Sequence, residues 1–311
     1  PLHAFLPPAT AQRLTRAYLD AAAAGLRWQH QLLRLLKQLR RCGPPVLAFG
    51  DAVLASTVYG NAALGSPRQL DLLVRAEDLD ALSRCLLALD TCVDREGGAS
   101  NPCGAAVFVS LKEGDIPVWV HSRFLPPDAP FRVPADELAS IATTALLEGV
   151  EAPVLRPEIL LLQLCMREAS RLETARLDPA GLSATPLHLC FDLAQVVERY
   201  ASDLNWEQVI ARARDWQAGA AAYLCLSLAR EFAGAAIPEA VLAQLAPDAP
   251  GAAQVARVRE QLLAQLEQEL LEQPLPALPA FQALDTGAVD QALLALSPEN
   301  PLIGCLRGRW Q

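Results

Sequence analysis

From residue 10 to residue 41 apolar positions recur every three or four residues, with Leu32, Leu36 and Leu39 on one face, and this predicts a long amphipathic helix. CGPP (42–45) breaks it. VLAF (46–49) then reads as a short buried strand, Gly50 as a turn, and DAVLASTVYG (51–60) as a helix opened by an acid. LDLLV (70–74) is a second strand. EDLDALSRCLLAL (77–89) is a helix with acids in its first turn, where they suit the dipole. AAVFVSL (105–111) and IPVWVH (116–121) form two strands of a hairpin turned at KEGD. Pro117 makes the second of them an edge strand or a strand start.

RFLPPDAPFRVP (123–134) is a Pro-rich connection, and everything after it reads as helix. Helices are expected at 136–148, 157–177, 187–200, 206–217, 219–233, 238–245, 251–272 and 286–296. In 251–272, Val255, Val258, Leu262, Leu266 and Leu270 form one stripe opposite Arg259, Glu260 and Glu267. PLPALPAF (274–281) is a stiff linker or surface crossing. The pattern therefore predicts an α+β chain. Residues 1–134 hold an N-terminal helix and a small α/β module, and residues 135–311 form an all-helical domain. A cleft between the two is where a ligand is expected.

A length of 311 residues fits two such parts. The formal net charge of −9 counts against a nucleic-acid partner, because the phosphate backbone rewards a basic surface. The densest basic cluster, Arg27, Arg34, Lys37, Arg40 and Arg41, reads as a solvated helix face. None of the eight cysteines forms a C-x-x-C pair, and several lie in apolar helical runs where Cys acts as a small buried hydrophobe. With no leader pattern after Pro1, a reduced, cytoplasmic chain is expected. The most apolar run, 218–229, is too short to span a bilayer.

Candidate chemistry gathers in the α/β module. A glycine at a strand-to-helix turn, Gly50, lets backbone amides approach an anionic ligand. Asp71 on the next strand is placed to hold Mg²⁺ against that ligand's phosphates, with Arg68 just before it. Each residue also has a plainer reading. Gly50 would be a tight turn, Arg68 a surface cation, and Asp71 a strand-start acid bonded to nearby amides. His121 would be a hydrogen-bonded hairpin-end histidine rather than a base or ligand. Trp119 would be packing rather than a stacking platform for a base. Asp192, among apolar helical residues, needs a partner, and Arg171 or Arg199 is expected to supply it. Phosphate-loop, dinucleotide, nucleophile-elbow and H-E-x-x-H motifs are all absent from the sequence.

Taken in order, five stretches resemble a family. They are AFGDAVL (48–54), RQLDLLVRAEDLDAL (68–82), VWVHSRF (118–124), FDLAQVVERYASDLNWEQVIARAR (191–214) and LSLAREFAGAAIPEAVL (226–242). The chain is similar to a bacterial family of uncharacterised nucleotidyltransferases, within the superfamily that has the DNA polymerase β-like fold. The resemblance implies a polymerase β-like module with helical flanks. It also implies a site of three acids sharing two Mg²⁺ ions, two of them spaced one apart on a strand and so on the same side. Gln69 stands where the first acid belongs, and Trp119 where the third belongs. Asp71 alone remains as catalytic and metal-binding carboxylate, and it would hold Mg²⁺ weakly. Asp51 and Asp115 would compensate only by approaching Asp71 in space.

The residues implied for a nucleotide are Gly50, Asp51, Arg68, Gln69, Trp119 and His121. The expectation is a nucleotidyltransferase-like protein with impaired or lost NMP transfer that retains nucleotide or partner binding. Two alternatives stand beside it. One is an active Mg²⁺-dependent enzyme modifying a protein or small molecule. The other is a scaffold that docks protein partners through its helical half.

Overall fold

The computed structural model describes residues 8–61, 64, 67–89, 91–94, 104–110, 115–123, 125, 129–134, 138–147, 149–175, 186–248 and, in part, 252–263. Helix α1 (Pro8–Cys42) leads into β1 (Leu47–Phe49). Gly50 turns the chain into α2 (Asp51–Leu54), which widens into a π-helix at Ala55–Tyr59. Strand β2 (Leu70–Leu73), a 3₁₀ turn (Ala76–Asp78) and α3 (Leu79–Leu87) follow. Then come β3 (Thr91–Asp94), β4 (Gly104–Ser110) and β5 (Val118–His121). A short α4 (Leu138–Ile141) precedes β6 (Ala142–Leu147) and β7 (Val150–Leu155). Five helices follow: α5 (Pro157–Ala175), α6 (Pro186–Arg199), α7 (Trp206–Asp215), α8 (Gly219–Ala233) and α9 (Glu239–Leu245).

The strands make one seven-stranded mixed sheet in the order β3-β4-β5-β2-β1-β7-β6. The sequence expectations for α1, β1, β2, β4, β5 and the later helices hold to within a few residues. The reading of 136–148 as helix, and of everything after 134 as helical, is corrected. Those residues hold α4 and the β6–β7 hairpin, and β7 runs parallel to β1 with Ala48 opposite Val154. The sheet thus continues past the boundary expected at 134. The Ala- and Leu-rich stretch has helical propensity, but Thr143 and Thr144 face solvent on an outer strand, and Gly149 at φ 82° makes the reversal. Strand β3 was also not foreseen. The expected helix 251–272 is described only as helical pieces between 252 and 263, and the stretches 274–281 and 286–296 lie outside the described residues.

Both faces of the sheet are covered, which is why LDLLV reads as a nearly continuous apolar run. One face packs Leu70, Leu72, Val118, Val120 and Val154 against Trp28, Leu32 and Leu36 of α1 and Leu82 and Leu86 of α3. Leu47, Phe49, Leu73 and Leu155 belong to the other core, with Leu161, Leu162, Leu193 and Leu226 of the later helices. Gln31 of α1 clips the N-terminal side of β5, accepting from the Ile116 amide at 2.8 Å and donating to its carbonyl at 2.6 Å. The alternation of side chains along β2 and β5 leaves Gln69, Asp71, Trp119 and His121 on the face turned toward the later helices. Among the described residues, no helix is long and apolar enough to cross a membrane.

Candidate functional site

Strand β1 ends at Phe49, directly opposite Asp71 on the antiparallel β2. Gly50 then leaves the sheet at φ 78° and ψ −167°, a region essentially reserved for glycine. A Cβ there would lie 2.4 Å from Asp71 Oδ2. Backbone and carboxylate are therefore packed together, and glycine is required twice over. Strand β5 runs parallel to β2 with Trp119 opposite Asp71 and His121 opposite Leu73.

Asp71 is almost buried and its Oδ1 is shared. Gln69 Nε2 donates to it at 2.7 Å, and His121 Nε2 lies 2.8 Å away. An ionised carboxylate only accepts, so His121 donates from Nε2. Its other ring nitrogen, Nδ1, is buried without a hydrogen-bond partner among the described residues. Phe49 meets the His121 ring edge-on at 5.1 Å between centroids, and Trp119 lies 6.3 Å from it. Of the residues singled out in sequence, Gly50, Gln69, Asp71, Trp119 and His121 thus come together. Arg68 is exposed, and no described hydrogen bond or ion pair joins it to Asp71.

The two acids considered as substitutes do not join this group. Asp115 is bound by Arg34 of α1 at 2.6 Å, beside the Gln31 clip. Asp51, first residue of α2, pairs with Arg167 of α5 at 3.1 Å. Among the described residues no group of three or more His, Cys, Asp or Glu side chains is placed to hold a metal ion. As arranged, these residues do not fit Mg²⁺: Gln69 brings no charge and Asp71 Oδ2 lies against the Gly50 turn.

A second polar group lies where the later helices meet α2. Tyr59 at the end of the π-helix donates to Asp192 Oδ1 of α6 at 2.5 Å, and His188 Nδ1 lies 3.5 Å from Oδ2. Burial raises the Asp192 pKa, against the opposing pull of the Tyr59 hydroxyl, His188 and Arg167. Burial and Asp192 together push the Tyr59 hydroxyl upward. Of the two partners expected for Asp192, Arg199 donates instead to the Thr57 carbonyl at 3.2 Å, and the Arg171 side chain lies outside the described residues. Burial acts against the Arg167 charge, but Asp51, Asp192 and Asp71 outweigh it and raise its pKa. Sequence reasoning passed over both Arg167 and Tyr59. The one available signal was a lone arginine inside the apolar run LLLQLCMRE.

A small open hollow with room for about one water molecule adjoins these groups on the seam between sheet and helices, lined by Phe49, Gly50, Thr57, Leu155 and Tyr200. That is far below the ~300–1,000 Å³ of a typical ligand pocket.

The sequence matches a family described as uncharacterised nucleotidyltransferase over residues 1–234. No curated protein matches it. A similar solved structure is the solution structure of the antibiotic-resistance factor ANT(2'')-Ia. The identity is 12% and the TM-score 0.38, with 60% of this chain and 89% of that chain covered.

Proposed function

The chain belongs to the uncharacterised nucleotidyltransferase family, and on that premise we propose that it binds a nucleotide without carrying out metal-dependent NMP transfer. One observation supports this reading most. Asp71, the single acid at the three positions such chemistry uses, already shares Oδ1 between Gln69 and His121. Transfer through two metals requires carboxylates that clamp both ions against the attacking and leaving oxygens. Gln69 supplies no charge, and Trp119 occupies the neighbouring strand position opposite Asp71. What remains suits binding. The Gly50 turn brings backbone close to a ligand, the exposed Arg68 can swing toward phosphate, and Trp119 offers a ring to a base.

The test is incubation with each labelled NTP and Mg²⁺, alongside calorimetry with ATP in EDTA. The expected result is no labelled product and measurable ATP binding that does not need the metal. Mg²⁺-dependent labelling that disappears in Asp71→Ala would instead establish an active transferase. Absence of any ATP binding would leave the protein-docking reading.

A further inference from the structure

Among the described residues, three polar ties of unequal character join the α2 segment to the later helices. Tyr59 to Asp192 is short, with its acceptor carboxylate fully buried. Arg199 to the Thr57 carbonyl involves a neutral acceptor. Arg167 to Asp51 is an ion pair open to water, with the two side chains 41% and 50% exposed. The pair is half-exposed rather than buried, so this single contact is more easily exchanged than the buried Tyr59–Asp192 tie. It also sits at a particular place: Asp51 immediately follows Gly50, so the guanidinium lies at the mouth of the turn whose glycine touches Asp71.

We propose that Arg167 is a phosphate-binding residue held in reserve by Asp51, released to a polyphosphate when a nucleotide enters the seam. This rests on the nucleotide-binding reading above. The charge around the turn supports it. Asp51, Asp71 and Asp192 all lie within electrostatic reach of Arg167. Without a counter-cation, three carboxylates would repel a nucleoside triphosphate. Here the donor set does not fit a metal, and the Arg167 guanidinium is the cation paired with the first residue after the turn. Its planar fork takes a phosphate through two parallel N–H donors, a stronger arrangement than the single 3.1 Å contact it makes with Asp51.

The two partners of the pair have opposite expected effects, which makes the proposal testable. ATP and inorganic tripolyphosphate are titrated by calorimetry, in EDTA, into the wild-type chain, Arg167→Met and Asp51→Asn, with thermal melting as the check on folding. Arg167→Met is expected to weaken both ligands roughly tenfold or more. Asp51→Asn keeps the side-chain shape, removes the competing charge and is expected to tighten both several-fold. If Asp51→Asn leaves ATP affinity unchanged or weakens it, the pair is only a structural tie and the proposal is overturned. If ATP binds the wild-type chain and Arg167→Met equally well, Arg167 has no part in binding and the nucleotide reading survives alone. If neither the wild-type chain nor Asp51→Asn binds ATP or tripolyphosphate, the nucleotide reading itself falls, and this inference with it.

Discussion

Gly50 is constrained by its backbone and by its neighbour at once. Its φ of 78° costs any other residue about 1–3 kcal/mol. A Cβ would also run into Asp71 Oδ2 at 2.4 Å. Gly50→Ala is therefore expected to destabilise the fold by about 2 kcal/mol or more in denaturant unfolding. The steric part is separable from the conformational part. In an Asp71→Ala background the clash is gone and the substitution should cost less, so the two changes couple in a double-mutant cycle. Strict additivity would show that the carboxylate does not press on the turn. Much of this cluster was legible in the sequence. A period of two places Gln69 and Asp71 on one face, and the same period places Trp119 and His121 on one face of β5. The bond from His121 to Asp71 was not legible, because it depends on β5 pairing parallel to β2 across 50 residues of chain. Arg167 was hidden for the same reason, 116 residues from Asp51.

The elements show where local signals succeed and where they mislead. Helix α1 followed from the apolar spacing of its second half, where Trp28, Leu32, Leu35, Leu36 and Leu39 form one buried stripe, and α8 from its long apolar run. The β6–β7 hairpin did not, because Ala and Leu suit helices and Pro153 in β7 argues against an interior strand. The π-turn at the end of α2 was read as plain helix. Ser56 and Thr57 there donate back to the Ala52 and Val53 carbonyls at 3.1 and 2.8 Å, and the wider turn ends in Tyr59 on Asp192. That tie between α2 and α6 has a pH signature. The folded pKa of Asp192 is raised, so the fold favours its protonated form. Its contribution is therefore fully present below the unfolded value of 3.8 and is lost as pH climbs above that toward the folded value. Asp192→Asn keeps an oxygen for Tyr59 and removes the charge. Its stability relative to wild type should rise as pH climbs above about 4 and level off once pH passes the folded value. A difference that stays flat across that range would mean that Asp192 is not strained by burial.

For the whole molecule, the question is whether the sheet module is a separable unit or half of a shared core. Leu47, Phe49 and Leu73 lie on the sheet, yet their core is completed by α5, α6 and α8. Strand β1 is covered on one edge by β7, which follows residue 134 in the chain. A chain ending at residue 134 would lose that strand pairing and expose those three side chains. Each such burial contributes about 1.5–3 kcal/mol, so the loss approaches the ~5–15 kcal/mol that holds an ordinary domain together. The opposite face, closed by α1 and α3, would remain. The expected product is a compact chain with secondary structure but exposed apolar surface and an open sheet edge, prone to self-association. Residues 1–134 should therefore bind a hydrophobic dye strongly and give poorly dispersed amide resonances, whereas residues 1–248 should do neither. Sharp, dispersed spectra from the 1–134 fragment would show that the module folds alone and that the later helices only dock onto it. In that case the seam holding Asp51, Arg167, Tyr59 and Asp192 would be an interface between two separately stable units. Those four residues would then have to be read as docking contacts before any ligand is assigned to them.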